Sequence, residues 1–165
     1  MPTGIWINEF SRGARKAFHK KHDIPTEAFV VGHLGRLAAE KNLDFLSEAV
    51  IKFLERNKDA YFLVVGKGPY EDTIREIAMG KGLSQQLRLV GVQEGKDKVD
   101  AYHAMDVFAF ASQSETQGLV LTEALASKVP VVAVDACGVR EVVQDKVNGR
   151  LLMREDVDEF VGALI

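Results

Sequence analysis

Short apolar runs alternate along this chain with stretches of helical period. Runs at 29–34 (Phe29-Val30-Val31-Gly32-His33-Leu34), 60–65, 87–90, 106–111 and 131–134 read as strands, and stretches at 43–54, 70–79, 97–104 and 118–127 read as helices. The strands are apolar at successive positions, as strands are when helices cover both faces of a parallel sheet. The pattern predicts an α/β fold with a doubly wound, Rossmann-like parallel sheet. Each strand ends in a turn of small or polar residues: Gly35-Arg36, Gly66-Lys67-Gly68-Pro69, Gly91-Val92, then 112–115 and 135–138. Open α/β sheets bind ligands outside the carboxyl ends of their strands, so these turns should converge on one crevice.

The chain has 165 residues, 47% of them hydrophobic, which suits one domain with a sizeable core. A net charge of −3 gives no case for nucleic acid as a partner. The charge is uneven, however. Residues 1–22 carry Arg12, Arg15, Lys16, Lys20 and Lys21 against Glu9 alone, a pattern that suits a solvated helix face or a patch for peripheral membrane association. One cysteine, Cys137, excludes an internal disulfide, no apolar run is long enough to span a bilayer, and Met1-Pro2 opens no signal-peptide pattern. The expected location is the cytoplasm, with the membrane surface as a further candidate. Val157, Phe160, Val161, Leu164 and Ile165 have helical spacing that stops without a cap, which reads as a domain cut from a longer protein.

The chemistry concentrates at the expected crevice. Glu115 follows the 106–111 strand and Glu123 falls in the first turns of the next helix. Between them Gly118 permits close backbone approach, and the N–H groups of Leu119 and Val120 stand at a helix start that favours anions. A diphosphate flanked by hydroxyl-bearing sugars fits that arrangement. Arg36 and Lys41 lie just after the first strand, at or near the start of the following helix, where the macrodipole disfavours cations. Arg36 can grip phosphate oxygens with a planar fork and Lys41 adds a point charge; surface solvation is the alternative for each alone.

Gly66-Lys67-Gly68-Pro69 lacks the third glycine of a dinucleotide fingerprint and the ending of a P-loop. It is read either as a tight turn with Pro69 at the first helical position or as a ligand contact. His33 sits closest to the crevice among the four histidines and is read as structural; none has metal-ligand spacing, so no metal is expected. Cys137 is read as filling a tight turn beside Gly138.

Taken together, these residues resemble the C-terminal, donor-binding domain of the retaining, GT-B-fold family 4 (group 1) glycosyltransferases. The likeness runs from Pro2-Thr3-Gly4-Ile5 through Gly35-Arg36-Leu37 and Glu40-Lys41-Asn42 to Glu115-x7-Glu123-Ala124 and Val129-Pro130-Val131. It implies residues 1–28 as an interdomain crossover with a basic helical segment, and 29–165 as a nucleotide-sugar-binding domain that lacks its N-terminal acceptor half. It further implies that Arg36 and Lys41 hold the donor diphosphate and stabilise the departing nucleotide, that Glu115 contacts the transferred sugar, and that Glu123 contacts the ribose. Gly118, Leu119 and Val120 would bind the pyrophosphate through their backbone amides, Val92 and Gln93 would border the base, and Gly35 would be a further donor-binding residue. Arg36, Lys41 and Glu115 are thus the expected catalytic residues.

The donor would be a UDP- or GDP-sugar, with no cofactor, and the acceptor a lipid or saccharide bound through the absent domain. The isolated chain is expected to be inactive. Glu115-Thr116-Gln117-Gly118-Leu119-Val120 is similar to members that glycosylate lipids. Thr122 and Cys137 depart from the family pattern at positions outside the expected contacts. A UDP-sugar epimerase on the same two-domain plan and a non-catalytic nucleotide-binding domain remain as alternatives. A dinucleotide oxidoreductase does not, because the first turn reads Gly35-Arg36-Leu37-Ala38-Ala39 rather than Gly-x-Gly-x-x-Gly.

Overall fold

A computed structural model describes residues 7–112 and 119–164. Its elements are α1 (Ile7–Phe10), α2 (Arg15–Lys21), β1 (Phe29–Leu34), α3 (Leu43–Arg56), β2 (Ala60–Val65), α4 (Glu71–Gly80), β3 (Leu87–Gly91), α5 (Lys96–His103), β4 (Val107–Phe110), α6 (Leu119–Ala126), β5 (Val131–Val134), α7 (Cys137–Arg140), β6 (Gly149–Leu152) and α8 (Val157–Ala163). The described strands form one parallel sheet in the order β3-β2-β1-β4-β5-β6. The order reverses direction between β1 and β4, so the topological switch point lies at their carboxyl ends. This is the doubly wound fold that the apolar pattern predicts.

Alternation along the strands divides the core into two layers. Val31, Phe62, Val64, Ala109 and Val132 meet α3, α4 and α8 on one face, while Val30, Leu63, Phe108, Phe110 and Val131 meet α2, α5 and α6 on the other. Leu43, Leu46, Val50 and Leu54 recur at helical spacing along α3 and are all buried, which fixes the helix on the sheet. Asp156 caps α8 by accepting from Glu159 N–H at 3.0 Å.

Three readings change. The strand β6 has little sequence signal, because only Leu151 and Leu152 are apolar in it; pairing to β5 from Val131↔Gly149 to Val134↔Leu152 makes it a strand. The turn read over 135–138 runs at Cys137 into the short helix α7. Arg15, grouped by sequence with the basic surface charges, is a structural cation. Its guanidinium donates to Asp106 Oδ2 at 3.0 Å and to the carbonyls of Ala28 and His103, and the same Asp106 oxygen accepts from Val30 N–H at 2.8 Å. Phe18 and His19 are buried beside it, so α2 is bound to the sheet. Among the described residues no helix is long and apolar enough to cross a membrane.

Candidate functional site

The turns after β1 and β2 are built against each other through backbone alone. Gly35 N–H donates to Val65 O (3.0 Å), Leu37 N–H to Lys67 O (3.0 Å), and Tyr70 N–H back to Leu37 O (2.9 Å). Contact is so close that a Cβ on Gly66 would stand 1.9 Å from Gly35 O, and one on Gly68 2.2 Å from Leu37 O; both glycines also have positive φ. Gly66-Lys67-Gly68 therefore supports the turn that carries Arg36. Pro69 is not the first helical residue, since α4 begins at Glu71 with Tyr70 as its N-cap.

These turns enclose a cavity of about 290 Å³ lined by Leu34, Gly35, Arg36, Val65, Gly66, Lys67, Val92 and Gln93. Gly35, Arg36, Val92 and Gln93, four of the residues expected at the donor site, thus meet at one place. Lys67, from the turn read either as structural or as a ligand contact, adds a second cation. Gln93 is fixed by donating its Nε2–H to Val90 O at 2.9 Å, and Val92 is exposed. A larger cavity of about 570 Å³ opens near Phe29 and Ala60, at the amino-terminal edge of the sheet. Its charges are of both signs (Glu27, Arg56, Lys58, Asp59), and that edge is not where open α/β sheets bind ligands.

Arg36 is largely exposed and meets Glu40 at 3.5 Å, a surface pair four positions apart that contributes under about 1 kcal/mol and yields readily to a stronger anion. Lys41 lies near the start of α3, two residues before its first helical position. It ends a 3-10 turn, Ala39–Lys41, and α3 begins only after Asn42, which takes a left-handed φ of 56°. Lys41 thus stands immediately before the N-cap of α3, where the dipole of the long helix still disfavours a cation. The Asn42 side chain donates to Ala111 O at 3.1 Å, which ties this loop to the carboxyl end of β4 across the switch point.

On the β4 side, Leu119 and Val120 occupy the first two positions of α6. Glu115 and Gly118 lie outside the described residues. Glu123 is buried, and both its oxygens are engaged: Oε1 accepts from Tyr102 O–H at 2.8 Å and Oε2 from Lys98 Nζ at 2.9 Å. Burial and the Glu123 charge together push the Tyr102 hydroxyl far above its ordinary pKa. Glu123 does not line the cavity beside Arg36. It stands on the helix that follows β4, so it shares the sheet edge with the β1 turn. Lys98 and Tyr102 have no sequence signal, because only the packing of α5 on α6 brings them to Glu123.

Replacing Lys98 with methionine keeps an apolar stem near Phe10 but removes the Glu123 counterion. The expected loss is about 1 kcal/mol, because Lys98 is partly exposed and its pair is screened. For a domain of this size that is a fall of about 2–4 °C in calorimetric Tm.

His33, in β1, is fully buried, and desolvation lowers its pKa to about 4, opposed by its bond to Ala109 and assisted by the charge of Lys41. The unfolded chain binds a proton here near pH 6.5, so between about pH 6.5 and 4 it holds more protons than the folded state. Stability is therefore expected to fall as pH drops through that window, by about 2 kcal/mol at pH 5 from this group alone. His22, whose pKa burial also lowers, acts in the same direction. Melting curves at pH 7 and pH 5 should diverge less for His33→Phe than for the parent; identical divergence would remove His33 as the source.

Among the described residues no group of three or more His, Cys, Asp or Glu side chains could hold a metal ion. A cavity with two cations at the carboxyl ends of β1, β2 and β3 and a buried carboxylate on the helix after β4 thus share one edge of the sheet, an arrangement suited to a ligand with both phosphates and hydroxyls.

Comparison with known proteins defines the class. The sequence profile of the glycosyl transferases group 1 matches residues 14–165, and the chain belongs to this family. Over 98% of its length it is 30% identical to the D-inositol 3-phosphate glycosyltransferase of Saccharomonospora viridis, and over 100% it is 29% identical to the alpha-monoglucosyldiacylglycerol synthase of Streptococcus pneumoniae. The chain spans 39% and 38% of those two proteins. Among solved structures it is similar to Anabaena HepE in complex with UDP and glucose (TM-score 0.86, 25% identity, 98% of this chain and 44% of that one). It is also similar to the C-terminal domain of LpcC, a glycosyl transferase group 1 family protein of Francisella tularensis (TM-score 0.84, 25% identity, 98% of this chain and 86% of that one). The fold is that of the C-terminal half of a GT-B glycosyltransferase.

Proposed function

We propose that this chain is the donor-binding half of a retaining hexosyltransferase that moves a sugar from UDP or GDP to a lipid or saccharide acceptor. The observation that carries the reading is topological: the turn bearing Arg36 and Lys41 follows β1, the helix bearing Glu123 follows β4, and β1 and β4 are parallel neighbours at the switch point. Arg36 and Lys41 would neutralise the diphosphate and gain most when negative charge grows on the leaving nucleotide, which is the differential binding that lowers a barrier. Glu123, oriented by Tyr102 and Lys98, keeps lone pairs for two vicinal ribose hydroxyls. Val92 and Gln93 would border the base, Leu119 and Val120 the pyrophosphate, and Glu115 the transferred sugar. On this reading the neutralising charge comes from side chains and no metal or cofactor is used.

The lipid acceptor is supported by the alpha-monoglucosyldiacylglycerol synthase likeness and by the exposed cations Arg12, Lys16, Lys20 and Lys21, which suit an anionic membrane surface on the cytoplasmic side. With half of the cleft absent, the chain alone should bind donor without transferring sugar.

A thermal-shift series with UDP, GDP, ADP and their sugar conjugates tests the reading. A nucleotide at one hundred times its Kd should stabilise the fold by about 2.7 kcal/mol, a rise of several degrees. No shift with any of them would overturn donor binding and favour a non-catalytic domain.

A further inference from the structure

The carboxyl ends of β1 and β4 diverge at the switch point. β1 stays paired with β2 as far as Leu34↔Val65, but its pairing with β4 ends at Gly32↔Phe108. His33 is the next residue of β1, and its Nδ1 reaches across to the Ala109 carbonyl at 3.0 Å. A carbonyl only accepts, so Nδ1 carries the hydrogen and Nε2 presents a bare lone pair. The side chain is 1% exposed, and Nε2 has no hydrogen-bonding partner among the described residues. A buried acceptor left unmet is destabilising, and native structures rarely keep one without a use.

The surroundings hold the ring in this state. Phe108 and Phe110 lie near-parallel to it, at 18° and 27°, and burial keeps the imidazole neutral. The lone pair also borders the donor turn. A Cβ built on Gly35 would lie 3.9 Å from His33 Nε2, and outside residues 34–36 no other described atom comes within 4 Å of that point. Gly35, which lines the cavity with Arg36, thus puts no side chain of its own between that cavity and this acceptor.

We propose that His33 Nε2 is a sugar contact, accepting a hydrogen bond from a hydroxyl of the transferred sugar of a bound nucleotide-sugar. This rests on the donor-binding reading and adds to it a residue that selects a hydroxyl. A phosphate is excluded as the partner, because at neutral pH its oxygens offer lone pairs to a lone pair. A hydroxyl supplies the missing hydrogen and still accepts from elsewhere. The cations Arg36 and Lys41 and the neutral His33 then divide the ligand between charge and polyol.

The test uses the whole chain with 15N-labelled histidine and follows the His33 Nε2 resonance by NMR. UDP is added first and UDP-glucose second, or GDP and GDP-mannose if guanosine is the nucleotide bound. The resonance should stay put with the nucleoside diphosphate and move toward the hydrogen-bonded range with the nucleotide-sugar. Titration calorimetry on His33→Phe, which keeps a ring between Phe108 and Phe110, should show an unchanged Kd for the diphosphate and about tenfold weaker binding of the nucleotide-sugar. Movement with UDP or GDP alone would overturn the assignment to the transferred sugar. A resonance unmoved by a nucleotide-sugar that binds would overturn the inference while leaving donor binding intact. Absence of any nucleotide binding to the parent would instead strike the donor-binding reading. The resonance is read on the parent protein, so it decides the contact even if the phenylalanine variant folds poorly.

Discussion

Alanine in place of Arg36 is expected to weaken binding of the preferred nucleoside diphosphate by about ten- to a hundredfold, with little loss of stability. The guanidinium is mostly solvent-exposed and its ion pair with Glu40 is weak, so the folded state gives up under about 1 kcal/mol when it is removed. A charge-assisted, two-pronged bond to phosphate contributes more, about 1.5–3 kcal/mol, and each 1.4 kcal/mol is a factor of ten in Kd. Lysine at this position should recover only part of the loss, because an ammonium lacks the planar fork. Titration calorimetry of the parent, Arg36→Ala and Arg36→Lys reads the difference, and the deficit should shrink as salt is raised. Equal affinities for parent and alanine variant would remove Arg36 from the site.

Alanine at Gly66 should act through the scaffold instead. The added methyl would stand 1.9 Å from Gly35 O on a residue whose φ is 135°, so the new side chain meets rigid backbone and an unfavourable conformation together. Strain of this kind costs about 1–3 kcal/mol before the clash is counted, and relieving the clash must separate the β1 and β2 turns. A fall of at least about 5 °C in Tm is expected, with nucleotide affinity reduced because Gly35 and Arg36 are displaced. Gly80, whose added Cβ would meet nothing within 4 Å, is the control and should tolerate alanine. A Gly66→Ala protein that melts and binds like the parent would show that the two turns are not interdependent.

The sheet was legible because strands such as Ala60–Val65 and Val131–Val134 are apolar on both faces, a pattern that few other environments tolerate. The edge strand β6 was not, since Gly149 and Arg150 supply no apolar surface and only pairing with β5 defines it. At the site, Arg36 could be placed from its position after a strand, and Val92 and Gln93 from the family resemblance. Lys41 was placed near the start of the helix that begins at Leu43, where it stands, but the left-handed Asn42 and the 3-10 turn that precede that helix leave little trace in spacing. The Glu123 cradle was invisible for a different reason: Lys98 lies 25 positions away on another helix, and only helix packing joins them. Arg15 shows the reverse case, in which a run of cations conceals one that is committed to Asp106.

The Asn42 amide that spans from the β1 loop to Ala111 sets the gap between the two banks of the crevice during folding. A ligand arriving there finds its berth already at width, so little of its interaction energy is diverted into drawing the banks together. Affinity on this half of the enzyme should accordingly be governed by chemical match to the occupant rather than by closure.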